Sequence, residues 1–168
     1  MRHRLLFIFL LLLGALGGCE AVEDTLDIEF TINKNNTFNI DTTQGAYAYD
    51  VDLNTDSDYQ RYKSHIKDVK IDYIRYSITA NTGTGGKADF YATVYGGDQA
   101  GATKVAETIT FAAFEHRGVT DVVWLNKAYL EGLLLSGKMR FWAVVEGAGV
   151  RLTLPVEIKV RVTANPLE

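Results

Sequence analysis

From Val150 to Val162 every second residue is apolar: Val150, Leu152, Leu154, Val156, Ile158, Val160 and Val162. Most positions between them are polar, with Arg151, Thr153, Glu157, Lys159 and Arg161. Successive side chains of a strand point to opposite faces, so this run is a strand with one dry face and one wet face. A chain that contains it must build a sheet and cover one side of that sheet. Pro155 cannot donate a ladder hydrogen bond, which predicts that this strand, or that stretch of it, lies at an edge.

The same period returns through the rest of the chain. Leu26, Ile28, Phe30 and Ile32 alternate with Asp27, Glu29 and Thr31. Lys34-Asn35-Asn36 reads as a turn, after which Phe38 and Ile40 restart the pattern. Tyr47, Tyr49, Val51 and Leu53 alternate with Asp50, Asp52 and Asn54. From Val69 to Ala80 the apolar phase slips by one residue midway, the mark of a β-bulge or of a strand crossing between sheets. Ala88–Tyr95, Val105–Phe111, Val119–Leu125 and Met139–Val145 are further strands.

Two short helices interrupt them. The first is capped by Ser57, with Tyr59, Tyr62 and Ile66 at helical spacing. The second starts at Asn126, places Leu130, Leu133 and Leu134 on one face, and ends at Gly137, where a C′ glycine belongs. About eight strands, frequent turns and no internal repeat predict an all-β chain: an antiparallel β-sandwich of the immunoglobulin-like or Greek-key kind with one or two short helices. The alternative is an eight-stranded lipocalin-like barrel around a ligand cavity.

Residues 1–18 stand apart from this domain. Met1-Arg2-His3-Arg4 is a short basic segment, Leu5–Leu13 is unbroken apolar, and small residues follow. That is the layout of a secretory signal, and the apolar run falls short of the ~20 residues a membrane-spanning helix needs. The segment ends Leu16-Gly17-Gly18-Cys19, and Cys19 is the only cysteine in the chain. This resembles the lipobox of bacterial lipoproteins. The resemblance implies cleavage before Cys19 and a diacylglyceryl group on its thiol. It also implies a fatty acyl chain, such as palmitate, on the freed amine, hence a lipid-anchored protein of the cell envelope. Two acyl chains anchor stably where one does not. Glu20 follows the cysteine where an Asp would resemble an inner-membrane retention signal, which favours the outer membrane. Glu23-Asp24 fits the acidic pattern that resembles a surface-export signal in some envelopes, so the periplasmic and surface faces both stay open. The organisation read from this is a signal peptide at 1–18, an acidic tether at 19–25 and one domain at 26–168.

The signal holds two of the 17 basic residues, Arg2 and Arg4, and none of the 21 acidic ones, which leaves the remainder at −6. That balance excludes nucleic acid as a partner and an electrostatic grip on anionic lipid. With Cys19 lipidated no disulfide forms, and stability falls to the core.

Chemistry-bearing residues are few. Asp50, Asp52, Asn54 and Asp56 place oxygens at every second position, as a calcium loop does, but Thr55 stands where the EF-hand needs Gly and Arg61 where it needs Glu. His65 and His116 are too few for zinc, which takes three or four ligands. Ser57, Ser64, Ser77 and Ser136 lie outside any nucleophile motif, and no carboxylate pair stands out, so no enzyme and no cofactor are read here. One cluster points to a ligand. Tyr91 and Tyr95 on one strand, and Trp142 on another, are large rings on otherwise polar faces. If the two strands share a sheet the rings form a platform for a glycan or a small apolar ligand; otherwise the helix at 126–136 lies over them and buries them under its leucines. The function read from the whole is a structural or protein-interaction domain held to the membrane by lipid on Cys19, with another envelope protein as partner. The alternative is a module that binds a glycan or small apolar ligand.

Changing Cys19 to Ser should leave an uncut precursor that takes up no labelled fatty acid. Mature-size protein that still partitions with membranes would refute the lipoprotein reading.

Overall fold

The computed structural model describes residues 27–41 and 45–166. The signal, Cys19, the tether and Leu26 lie outside the described residues.

Ten strands and two short helices follow in order: β1 (Ile28–Asp41), β2 (Ala46–Asp52), α1 (Ser57–Tyr62), β3 (Ile66–Ile78), β4 (Ala80–Asn81), β5 (Gly86–Val94), β6 (Thr103–Lys104), β7 (Ile109–Phe111), β8 (Arg117–Asp121), α2 (Lys127–Leu135), β9 (Lys138–Glu146) and β10 (Arg151–Ala164). Two antiparallel sheets result. Sheet A runs β1-β10-β3-β8, with β4 also on β10, and sheet B runs β2-β9-β5-β6, with β7 also on β5. The chain is therefore one long hairpin doubled back between β5 and β6. β1 pairs with β10, β2 with β9, β3 with β8 and β5 with β6, and successive pairs fall alternately in sheet A and sheet B. This is a β-sandwich in its Greek-key form, a jelly roll. The two sheets stay separate, so the barrel alternative does not hold.

The core lies between the sheets. Sheet A contributes Ile32, Phe38, Ile71, Ile74 and the inward residues of β10; sheet B contributes Val51, Phe90, Met139, Phe141 and Ala143. Phe90 and Phe141 stack at 5.4 Å. The phase slip in β3 is a bulge: Ile71 faces Val160 and Tyr73 faces Lys159, which leaves Asp72 as the extra residue. The bulge lets Ile71 and Ile74 both reach the core.

The structure departs from expectation in four places. The Lys34-Asn35-Asn36 turn does not exist, because β1 pairs without a break from Ile28 opposite Ala164 to Asp41 opposite Arg151. The period of two continues through Lys34 and Asn36, and an edge strand tolerates polar residues there because one side remains open to water. Part of that edge is covered: the Tyr47 hydroxyl accepts from the Asp41 N–H at 2.8 Å, and the Tyr49 hydroxyl donates to the Asn35 carbonyl at 3.4 Å. Second, the strand carrying Pro155 is central, between β1 and β3, and only its stretch at Pro155 forms the expected edge. Pro155 is accommodated because pairing on the β3 side ends at Val156 and resumes with β4 at Thr153. Third, Asp56, not Ser57, caps α1, its carboxylate accepting from the Asp58 and Tyr59 amides at 3.0 and 3.1 Å. Fourth, the period of two through Ala88, Phe90 and Ala92 puts Val94 on the core face of its strand, yet Val94 is 61% exposed at the end of β5.

Gly137 ends α2 as expected, with φ at +84° and its amide on the Leu134 carbonyl at 2.8 Å. A Cβ there would sit 2.7 Å from the Tyr59 hydroxyl. Gly137→Ala should therefore cost at least the ~1–2 kcal/mol of a left-handed non-glycine residue. Ile158, fully buried, marks the inward face of β10. Ile158→Asp should abolish the cooperative thermal melt, since an unpaired buried charge costs several kcal/mol, whereas Lys159→Ala should leave it within about half a kcal/mol.

Candidate functional site

The outward positions of sheet B form a ruled surface. Ala48, Trp142, Tyr91 and Lys104 make one row across β2, β9, β5 and β6. Asp50, Arg140 and Thr93 make the next, and Asp52 and Lys138 the one after. Residues opposite each other across antiparallel strands sit with Cβ atoms ~5 Å apart, so every row is a set of touching neighbours.

Charges lock these rows. Arg140 Nε and Nη2 donate to the two Asp50 carboxylate oxygens at 2.6 and 2.8 Å, a two-pronged match of guanidinium to carboxylate. Its Nη1 donates to the Gly97 carbonyl at 3.4 Å, and its guanidinium lies 5.9 Å from the Trp142 ring. Lys138 Nζ lies 2.8 Å from Asp52 and 4.9 Å from the Tyr95 ring. Asp89 is nearly buried, accepting from Thr108 at 2.5 Å and pairing with Lys104 at 2.6 Å.

These contacts set the proton affinities. The hydrogen bond from Arg140 holds the Asp50 carboxyl below its ordinary range. Burial pushes Asp52 up, but the hydrogen bonds from Lys138 and Asn54 outweigh it and the carboxyl sits low. Burial likewise opposes Asp89, and Lys104 and Thr108 bring it down.

The sequence-derived ring cluster is partly assembled. Tyr91 and Trp142 are direct partners, both half-buried. The Trp142 Nε1 is buried and has no hydrogen-bond partner among the described residues. Tyr95 stands past the Thr93–Arg140 row, 51% exposed in the turn after β5. The covering helix is elsewhere. α2 packs against β3 of sheet A as well as β9 and β5, and Leu130 and Leu134 are fully buried in the common core. It goes there because β8 stops at Asp121, and on the side away from β10 no strand among the described residues flanks the first half of β3. The Glu131 carboxylate accepts the Ile71 N–H at 3.0 Å, a bond that a neighbouring strand would otherwise supply.

The four residues of the calcium reading are dispersed into other roles. Asp50 and Asp52 each hold a cation, and Asp52 also accepts from the Asn54 amide at 2.8 Å. Asn54 Nδ2 donates to the Gly137 carbonyl at 3.3 Å, and Asp56 caps α1. Among the described residues no three His, Cys, Asp or Glu are grouped to hold a metal ion.

Sequence reasoning missed one cluster. Arg117 on β8 donates to Glu115, to the Tyr76 hydroxyl and to the Thr110 carbonyl at 2.7–2.8 Å, inside a shallow depression of about 240 Å³. Its partners lie 2 to 41 residues away, and no sequence spacing announces them. All three guanidinium nitrogens are engaged, so the residue braces sheet A against the β7–β8 loop.

No protein-family model matches the chain, and no curated protein matches it. Among solved structures it is similar to a chain from desmodium yellow mottle tymovirus (10% identity, 84% of this chain and 90% of that one, TM-score 0.36). It is also similar to a turnip yellow mosaic virus chain (6% identity, 82% of each, TM-score 0.36). A third is a chain of infectious bursal disease virus, Gx strain (9% identity, 83% of this chain and 32% of that one, TM-score 0.37). Likeness at this level says nothing about what this chain does.

Because Asp50 is depressed in the folded state, its pairing with Arg140 stabilises the fold above the ordinary carboxylate pKa of about 4 and is lost as pH falls through the lower folded value. Arg140→Met should therefore lower the melting temperature at pH 7, and the gap to the parent should narrow by pH 3. A gap that stays constant across that range would show that Arg140 acts through packing and not through Asp50.

Proposed function

We propose that this chain is a lipid-anchored protein of the bacterial cell envelope, tethered through Cys19 to the outer membrane. In this reading its sandwich docks on another envelope protein by the outer face of sheet B, without catalysing a reaction. The observation that carries the reading is that α2 packs into the common core and no helix among the described residues lies over that face. Trp142, Tyr91 and Arg140 remain accessible in part, beside the Asp50 and Asp52 ion pairs. Tyr, Trp and Arg are the residues enriched at the energetic centres of protein interfaces. Rings held by strand register and charges held by mutual pairing are also pre-organised, so little freedom is lost on docking.

The ring row favours a second reading, a glycan on the same face. Flat rings flanked by polar side chains offer a sugar both its apolar face and its hydroxyl partners.

A photo-crosslinking residue at Ala48, exposed and opposite Trp142, should trap one discrete adduct in intact cells, and Trp142→Ala should abolish it. The same probe at Lys159, on the outer face of sheet A, should trap none. Equal trapping at both positions would refute the assignment of the face. In a Trp124→Phe background, a saturable change in Trp142 fluorescence with solubilised envelope polysaccharide, lost in Tyr91→Ala, would decide for the glycan.

A further inference from the structure

The sandwich has two ends, and the lipid tether enters at one of them. Ile28 opens β1 and pairs with Ala164, which pairs with Ile66, so the starts of β1 and β3 and the finish of β10 share that end. α1 lies there too, with the Tyr62 ring 5.9 Å from Phe30. The C-terminus of α2 closes on the same place: the Gly137 carbonyl accepts the Leu53 N–H at 2.8 Å. β5 also finishes here, with Val94 opposite Met139.

Apolar side chains are exposed at this end. Val94 is 61% exposed, Tyr95 51% and Leu135 49%. The exposed residues of α2 are Ala128, Tyr129, Gly132 and Leu135, none of them charged, although the outer face of a surface helix is ordinarily polar. Its two charged residues, Lys127 and Glu131, pair with each other at 3.7 Å. Exposed Arg61 and Lys63 flank the patch, while Asp56 and Asp58 nearby balance their charge.

The length of the tether says what covers it. Eight residues lie between Cys19 and Ile28, a reach of at most ~32 Å, whereas the fourteen residues of β1 stretch about 45 Å. The acyl chains are therefore held at this end of the sandwich and cannot come level with the other. We propose that this end seats on the bilayer surface, with Val94, Tyr95 and Leu135 at headgroup depth and Arg61 and Lys63 reaching the polar layer. The proposal rests on lipidation of Cys19. Rings, aliphatic tips and long cations are the side chains that favour this layer. Three apolar residues would not hold a free protein there, but the anchor makes the contact intramolecular and a weak one suffices. Seated in this way, the strands stand off the membrane and the outer face of sheet B looks sideways along it.

The test uses the mature lipoprotein in phosphatidylcholine vesicles that carry spin-labelled headgroup lipid. The Cys19 thiol is alkylated, so Leu135→Cys, or Ala148→Cys at the far end, takes a single fluorophore. The Leu135 label should be quenched several-fold more than the Ala148 label, equally well in phosphatidylglycerol. Val94→Ser with Tyr95→Ser should bring it down to the Ala148 level while the protein still floats with the vesicles. Equal, weak quenching of both labels on floating protein would overturn the seat and leave the anchor standing. Quenching confined to phosphatidylglycerol would overturn an apolar seat. Shielding of the Leu135 label from iodide in detergent that rises with protein concentration, without a bilayer, would assign the end to a second copy and overturn the proposal. Protein that does not float would overturn anchor and seat together.

Discussion

The pairing of β1 with β10 is the constraint on which the rest depends. It joins the first and last strands over fourteen residues each, from Ile28 opposite Ala164 to Asp41 opposite Arg151. Without it β10 would have only β3 and the short β4, and sheet A would lose an edge strand that contributes Ile32, Phe38 and Ile40 to the core. Its contacts span more than a hundred residues, so the loop-closure entropy must be met before the apolar faces reward it. Every other pairing nests inside this one, and such non-local order makes for slow folding.

Within that frame, the two sheets treat their outer faces alike in one respect and differently in another. On sheet A, Arg161 pairs with Asp72, Arg75 with Asp121, and the Tyr73 hydroxyl with Glu157, with the Tyr73 ring 3.9 Å beneath the Arg75 guanidinium. On sheet B the ion pairs alternate with rings. Exposed pairs contribute little to stability, a fraction of a kcal/mol each, so their role is geometric. Asp50 fixes where the Arg140 guanidinium lies, and Arg140 in turn borders Trp142. A surface with fixed rings and fixed charges can select a partner by shape and by sign at once.

Much of the fold is legible in local pattern, because the period of two reports burial directly. The long strands, the β3 bulge, the C′ glycine at 137 and the inward positions of β9 follow from that signal, whereas the strands read at Val105–Phe111 and Val119–Leu125 shrink to β7 and to β8, which ends at Asp121. What failed was whatever depends on neighbours. Pro155 argues for an edge by its own chemistry, and only the handover from β3 to β4 explains its place in a central strand. Lys34-Asn35-Asn36 has turn composition, yet the ladder with Ile158, Glu157 and Val156 overrides it. The destination of α2 turns on the length of β8, a strand of five residues with weak patterning. The candidate face was legible as rings on polar positions. Its ion pairs, 90 residues apart for Asp50 and Arg140, were not.

The strand that completes sheet A is also the last of the described strands in chain order. β10 ends at Ala164 of 168 residues, and until it is present β1 has no partner in its sheet and β3 lacks its principal one. A chain that lacks residues 149–168 thus owns half a sandwich, with the inner face of sheet B bare. The order of the strands keeps the core open until β10 is in place, so a jelly roll closed in this way acquires its two-sided burial in one late step and not strand by strand.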